Sequence, residues 1–293
     1  MTHTMRTLLA AVVLAGMVSG PVRGQYGLAP YCQILDRIED PIWEVYFGYM
    51  TNEDAKEPDA GHFGLTEIGA RAGLYYYRTA GGDLDIQAGF DTMYFTGGGG
   101  IGLPTQVTAA RLDLDYIMRF DDGYALRLKM EPGLYSDLRD LGWRDMYVPF
   151  ALSGIHAVRS DVSLETGVAF FPGFDRLVDP RILLRWELGD FFLLDAGYPG
   201  SRLVYRPALH WGFTAGFDVQ QHMQYRLKRS DDRRSLRYEE VRFHLGVERI
   251  FAENLLWRFE AGHAVNRSLN FERGEDYKLN DAYYFRIGVG GLL

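Results

Sequence analysis

The chain has 293 residues, 47% of them hydrophobic and 24% charged, with a formal net charge of −8. That balance lacks the clustered positive charge that nucleic acid calls for, so nucleic acid is excluded as a partner. The single cysteine, Cys32, excludes an internal disulfide and a thiolate metal cluster, and is read as incidental.

The first predicted element is a secretory signal over residues 1–24. Arg6 precedes an apolar run from Leu8 to Val18. That run is too short to span a bilayer as a helix, which takes about 20 apolar residues. Val22 and Gly24 suit the small-residue positions before a cut at Gln25. Losing Arg6 and Arg23 takes the basic residues from 31 to 29 against 39 acidic ones, a net charge of −10. Residues 25–41 read as a short periplasmic lead-in, with Ile34, Leu35 and Ile38 at helical spacing between Pro30 and Pro41.

From residue 42 to 293 the hydrophobic period is two almost throughout. Strand-like stretches fall at about 42–50, 64–78, 82–96, 105–120, 123–134, 144–158, 161–171, 178–188, 190–198, 201–207, 208–229, 236–250, 254–266 and 282–292. A bulge is expected near Gln220. No amphipathic helix of ordinary length interrupts them, which argues against an α/β enzyme fold.

The connections alternate in length. TAGGD, FDDGY, VRSD, ELGD, RPAL and FAEN are tight turns. The connections between them, such as TNEDAKEPDAGHF, TGGGGIGLP and KRSDDRRSL, are mostly long and polar, YPGS being the short exception. Short turns at one end and long loops at the other are the pattern of an outer-membrane barrel.

The faces of each strand make the same point. In DLDIQAGFDTMYF, residues 83–95, Leu84, Ile86, Ala88 and Phe90 lie on one face, and Asp83, Asp85, Gln87 and Asp91 on the other. In a membrane barrel the first set meets lipid and the second the interior. No later segment is apolar enough for a membrane helix, so an exported membrane protein of this sequence has to be a closed barrel. The predicted fold is an all-β, closed, antiparallel up-and-down transmembrane β-barrel of about fourteen strands, with twelve as the alternative.

The stretch from Pro180 to Phe271 resembles an uncharacterised family of bacterial outer-membrane β-barrels known only as a domain of unknown function. The matching pieces are RILLRWELGD, GYPGSRLVYRP, LHWGFTAGFDVQQHMQYRL and YEEVRFHLGVERIFAENLLWRFEAGHAV. Gly197-Tyr198-Pro199, a strand ending Tyr205-Arg206, Tyr225-Arg226 and Gly262 carry the resemblance. It implies the barrel fold and an outer-membrane location, and no catalytic residues.

Other motifs give way to plainer readings. Gly97, Gly99 and Gly102 match G-x-G-x-x-G, but a strand follows where a dinucleotide site needs a helix. Ser153 and His156 are three apart, so they point to opposite faces of a strand and cannot pair as nucleophile and base. The acidic loop Glu53, Asp54, Glu57 and Asp59 matches no calcium-loop spacing. No catalytic, cofactor or metal set is assigned.

The constellation that remains is the expected lumen lining: Arg111, Asp113, Asp115, Arg119, Arg127, Lys129, Glu131, Arg181, Arg185, Glu187, Glu240, Arg242, His244, Glu248, Arg258, Glu260 and Arg286. About fourteen strands enclose more space than side chains alone fill in an eight-stranded barrel. The expected role is a passive pore or transporter for small solutes. The alternatives are a non-conducting barrel with an ion-paired lumen and, behind it, an outer-membrane hydrolase. The expected partners are outer-membrane lipid, the barrel-assembly machinery during insertion and, for a pore, a small solute. A monomer is the default.

Overall fold

The computed structural model describes residues 42–54, 61–97, 102–120, 123–139, 142–173, 178–208, 210–227, 235–251, 254–272 and 276–292. The signal and lead-in expected over 1–41 lie outside the described residues, as do Glu57, Asp59 and Gly99.

Fourteen strands form the barrel. They are β1 Trp43–Asp54, β2 His62–Thr79, β3 Gly82–Gly97, β4 Gln106–Arg119, β5 Tyr124–Met130 continued by Gly133–Ser136, β6 Met146–Tyr147 continued by Phe150–Arg159 and β7 Val162–Phe170. Then follow β8 Val178–Leu188, β9 Phe192–Tyr198, β10 Gly200–Ala208, β11 Trp211–Arg226, β12 Ser235–Phe251, β13 Leu255–Phe271 and β14 Asp276–Lys278 continued by Ala282–Gly291. Each strand pairs antiparallel with the next, and β1 pairs with β14 from Trp43–Gly291 to Met50–Tyr284, which closes the ring. Closure leaves neither edge of the sheet open to another chain.

The breaks in β5 and β6 fall at prolines. Pro132 and Pro149 have no N–H to give the ladder, and their carbonyls accept from Leu112 N and Glu131 N instead. A bulge between Gln220 and Met223 bends β11 where one was expected. Several strands run beyond the stretches read from the sequence. β13 extends to Phe271, and β14 begins at Asp276.

The outer surface is apolar around the whole ring. Val45, Phe47, Leu112, Tyr116, Phe243, Trp257, Phe259 and Phe285 are all exposed, and Leu245 is 69% exposed. At the short-turn end an aromatic belt includes Tyr75 stacked near Tyr77, with ring centroids 6.3 Å apart, and Phe192 on Tyr205 at 4.6 Å. Such rings sit well at a lipid–water boundary. On the outer phase of β3 Tyr94 is exposed and Leu84, Ile86 and Phe90 are half-buried, while Asp83 and Asp91 are buried on the other phase. Water would not tolerate so continuous an apolar surface, whereas hydrocarbon solvates it. The protein is an integral β-barrel of the bacterial outer membrane.

Candidate functional site

The candidate site is the lumen, and it differs between its two halves. The inward side chains at the long-loop end form a dry stopper. Met50, Phe63, Leu65, Tyr225, Leu236 and Leu269 are fully buried there, from five different strands. Phe63 packs on Phe95 at 5.7 Å and on Tyr238 at 6.2 Å, and Tyr135 on Tyr147 at 5.9 Å. Arg267 is buried among them. Its guanidinium lies 5.3 Å over the Phe63 ring, donates from Nε to Tyr238 Oη at 3.2 Å and from Nη1 to Asn280 O at 2.8 Å.

Beneath the stopper, ion pairs cross the interior. Arg242 on β12 reaches Glu67 on β2 with Nη1–Oε2 at 3.0 Å, and Arg286 on β14 shares that carboxylate at 2.9 Å. Arg242 also pairs with Glu240, whose Oε2 accepts from Tyr238 Oη at 2.6 Å. Arg258 on β13 donates to Glu44 on β1 and to Glu248 on β12, both at 2.8 Å. Tyr284 donates to Glu260 at 2.9 Å.

Two inward glycines let such pairs pass over an intervening strand. Tyr46 on β1 hydrogen-bonds Asp91 on β3 directly above Gly69 of β2. A Cβ at Gly69 would run into the Tyr46 ring. Glu44 crosses β14 at Gly288, where a Cβ would lie 3.1 Å from its Oε1.

The wall from β3 to β10 carries the remaining charges. Arg111 pairs with Asp91 and, at 2.9 Å, with Asp113. Arg119 and Arg78 share Asp83. Arg127 is held by Asp115 at 2.9 Å and by Glu165 at 3.2 Å, and Glu165 also accepts from Ser153 at 2.7 Å. Lys129 lies 3.5 Å from Asp115 and feels the like charges of Arg127 and Arg181. Arg185 and Arg202 share Asp195 at 2.7 and 3.0 Å.

In part of this wall the carboxylates lie deeper than the basic side chains that reach them. Asp195 and Glu165 are buried, while Arg202 is 42% and Lys129 31% exposed. Asp218, 3.3 Å from His244 Nδ1, is 57% exposed. The lower lumen is therefore charged and in places exposed, where the upper lumen is apolar and buried.

The expected lining residues named above thus meet one another, or other charged groups, in these pairings. Arg181 and Glu187 share the inward face of β8 with Arg185. Glu131 sits exposed at the break in β5, near enough to Arg111 to act on it electrostatically. Sequence reading did not list Glu44, Glu67, Arg78, Glu165, Asp195, Arg202, Asp218 or Arg267 among the lining residues. Alternation alone would have found most of them, because each shares a phase with inward neighbours. It could not have found Arg267. Odd residues of β13 such as Trp257 and Phe259 face out, and Asn266, with φ of 52°, adds a residue that turns Arg267 inward. Ser153 and His156 do lie on opposite faces, since His156 stacks on exposed Tyr124 at 4.3 Å.

The sequence matches a family model described as a domain of unknown function, DUF6268, over residues 84–288. That is well over half of the chain. The chain belongs to this family. The match spans β3 to β14, so the lumen wall just described is mostly DUF6268 wall. No curated protein matches the sequence. Among solved structures, it is similar to the NanC porin, with 10% identity over 86% of this chain and 100% of that one and a TM-score of 0.42. It is also similar to an outer membrane channel from Pseudomonas putida F1, with 14% identity, coverage of 93% and 100%, and a TM-score of 0.42. A third is the TodX monoaromatic hydrocarbon channel, with 9% identity, coverage of 86% and 89%, and a TM-score of 0.44.

Proposed function

We propose that this protein is a passive outer-membrane pore for small solutes, closed at its outer mouth by the tyrosine-rich stopper. The observation that carries this reading is the charged lower lumen. Charged side chains there are open to the lumen, as at Arg202 and Asp218. Charge of both signs on these walls favours small polar solutes in general, since selectivity for one ion sign uses a ring of the opposite sign. Opening requires the stopper to shift. It is built from side chains and strand ends above the cross-lumen ion pairs, so it can shift while the barrel below stays closed.

The stopper favours a second reading, a non-conducting barrel whose loops carry the function. Solute release separates the two. Proteoliposomes loaded with hydrophilic solutes of graded size should leak the small ones and keep the large ones. A correctly folded barrel that retains every size would support the second reading.

A further inference from the structure

Four polar side chains form a row across the inner wall from β9 to β12. Asp195 on β9 stands opposite Arg202 on β10, and Arg202 stands opposite Gly216 on β11. Asp218 on β11 stands opposite Gly200 on β10, and His244 on β12 stands opposite Gly216. Both glycines make room for a neighbour. A Cβ at Gly200 would lie 2.7 Å from Asp218 Oδ1, and one at Gly216 would lie 3.0 Å from His244 Nε2. The carboxylate of Asp218 thus lies over β10, and the imidazole of His244 over β11.

Arg202 and Asp218, the two central members, carry opposite charge. Residues set diagonally on adjacent strands are about 7–8 Å apart, within reach of one long side chain. These two nevertheless turn to separate partners. Arg202 donates from Nε to Asp195 Oδ2 at 3.0 Å, and Asp218 Oδ2 lies 3.3 Å from His244 Nδ1. Asp195 and His244 are buried, whereas Arg202 is 42% and Asp218 57% exposed. The buried outer members of the row therefore hold the exposed inner members apart. The other diagonal of the same square is Gly200 and Gly216, so neither strand places a further side chain between the two charges. The bond to Asp195 uses one of the five N–H donors of the Arg202 guanidinium. A cation and a carboxylate thus face the same stretch of lumen.

We propose that Arg202 and Asp218 form a binding subsite for small zwitterionic solutes, amino acids among them, on the path through the lumen. The solute's carboxylate meets the Arg202 guanidinium, and its ammonium group meets Asp218. A solute with both charges satisfies both side chains at once and brings no net charge into the barrel. A solute with a single charge satisfies one side chain and leaves the other to water. The proposal rests on the pore reading for access to the lumen and adds to it a site and a solute class. Both side chains keep their protein partners while they hold the solute, so the contacts stay weak enough to release it, as conduction requires.

Saturation-transfer NMR on the protein folded in detergent tests the subsite. The probe is β-alanine, and the comparisons are propionate and ethylammonium, which each lack one of its charges. β-Alanine should receive several-fold more saturation than either. Asp218→Asn should bring β-alanine down to the level of propionate, and Arg202→Gln to the level of ethylammonium, each in protein that keeps its heat-dependent gel shift. Equal saturation of β-alanine and either comparison in the wild type would overturn the subsite, whether or not the variants fold. A preference that both substitutions leave intact would overturn it as well. Glycerol release from proteoliposomes reads the pore separately. Release without a preference for β-alanine keeps the pore and overturns the subsite. A preference that both substitutions remove, without release, keeps the subsite and overturns the pore.

Discussion

Arg242 on β12 and Glu67 on β2, four steps apart around the ring, are joined inside it by a two-pronged ion pair, and the guanidinium side chain is only 3% exposed. Three strands, β13, β14 and β1, lie between them around the ring. The pair acts as a strut, and Glu240 and Arg286 complete it. Arg242→Met should therefore cost about 3–5 kcal/mol of barrel stability, because buried Glu240 loses its main partner. Urea unfolding from vesicles, followed by tryptophan fluorescence, measures it. Changing Glu240 to Leu in the same protein should restore part of the loss, since an apolar pair can replace a buried ion pair.

The outer surface makes a different demand. Leu245 lies mid-strand on β12, opposite Ala215 and Ala261. Leu245→Lys should destabilise the barrel by about 2–4 kcal/mol, the cost of a cation facing the bilayer core. Were this face in water, the change would fall within about 0.5 kcal/mol. Vesicle refolding yields of the two proteins decide between these values.

Gly69 supplies a steric test of the interior. Any side chain there enters the space in which the Tyr46 ring reaches Asp91. Gly69→Val should cost about 1–3 kcal/mol, as overpacking does, and should also free Asp91 from its tyrosine. Gly81, in the turn between β2 and β3, has nothing within 4 Å of a built Cβ. Gly81→Val should be far milder in the same unfolding assay.

Much of this architecture is written in a period of two. Alternation of Leu84, Ile86 and Phe90 with Asp83, Asp85 and Asp91 is enough to orient β3, because a one-residue slip would put three carboxylates into lipid. Alternating loop lengths orient the whole ring. The stopper was not legible. Phe63, Leu65, Phe95 and Leu236 look in sequence like ordinary core or lipid-facing residues, and only the fold brings them into one cluster with Tyr135 and Tyr225, beside the point where Arg226 of β11 pairs in parallel with Ser136 of β5. The bulge and the shortness of the tenth strand are both expected from the sequence, but neither says where the end of β11 docks. Arg267 escaped too, since one extra residue at Asn266 reverses the phase of everything after it.

The central claim is that an aqueous lumen is stoppered at its outer mouth. Tyr225 is the tyrosine to remove, being fully buried in the stopper with its ring 6.5 Å from that of Tyr135. The direct measurement is single-channel conductance in planar bilayers, comparing the wild-type protein with Tyr225→Ala after both show the same heat-dependent gel shift. The wild type should be mostly closed with rare brief openings, and Tyr225→Ala should open more often and for longer. Two electrically silent proteins, or a wild type that is steadily open, would contradict the account.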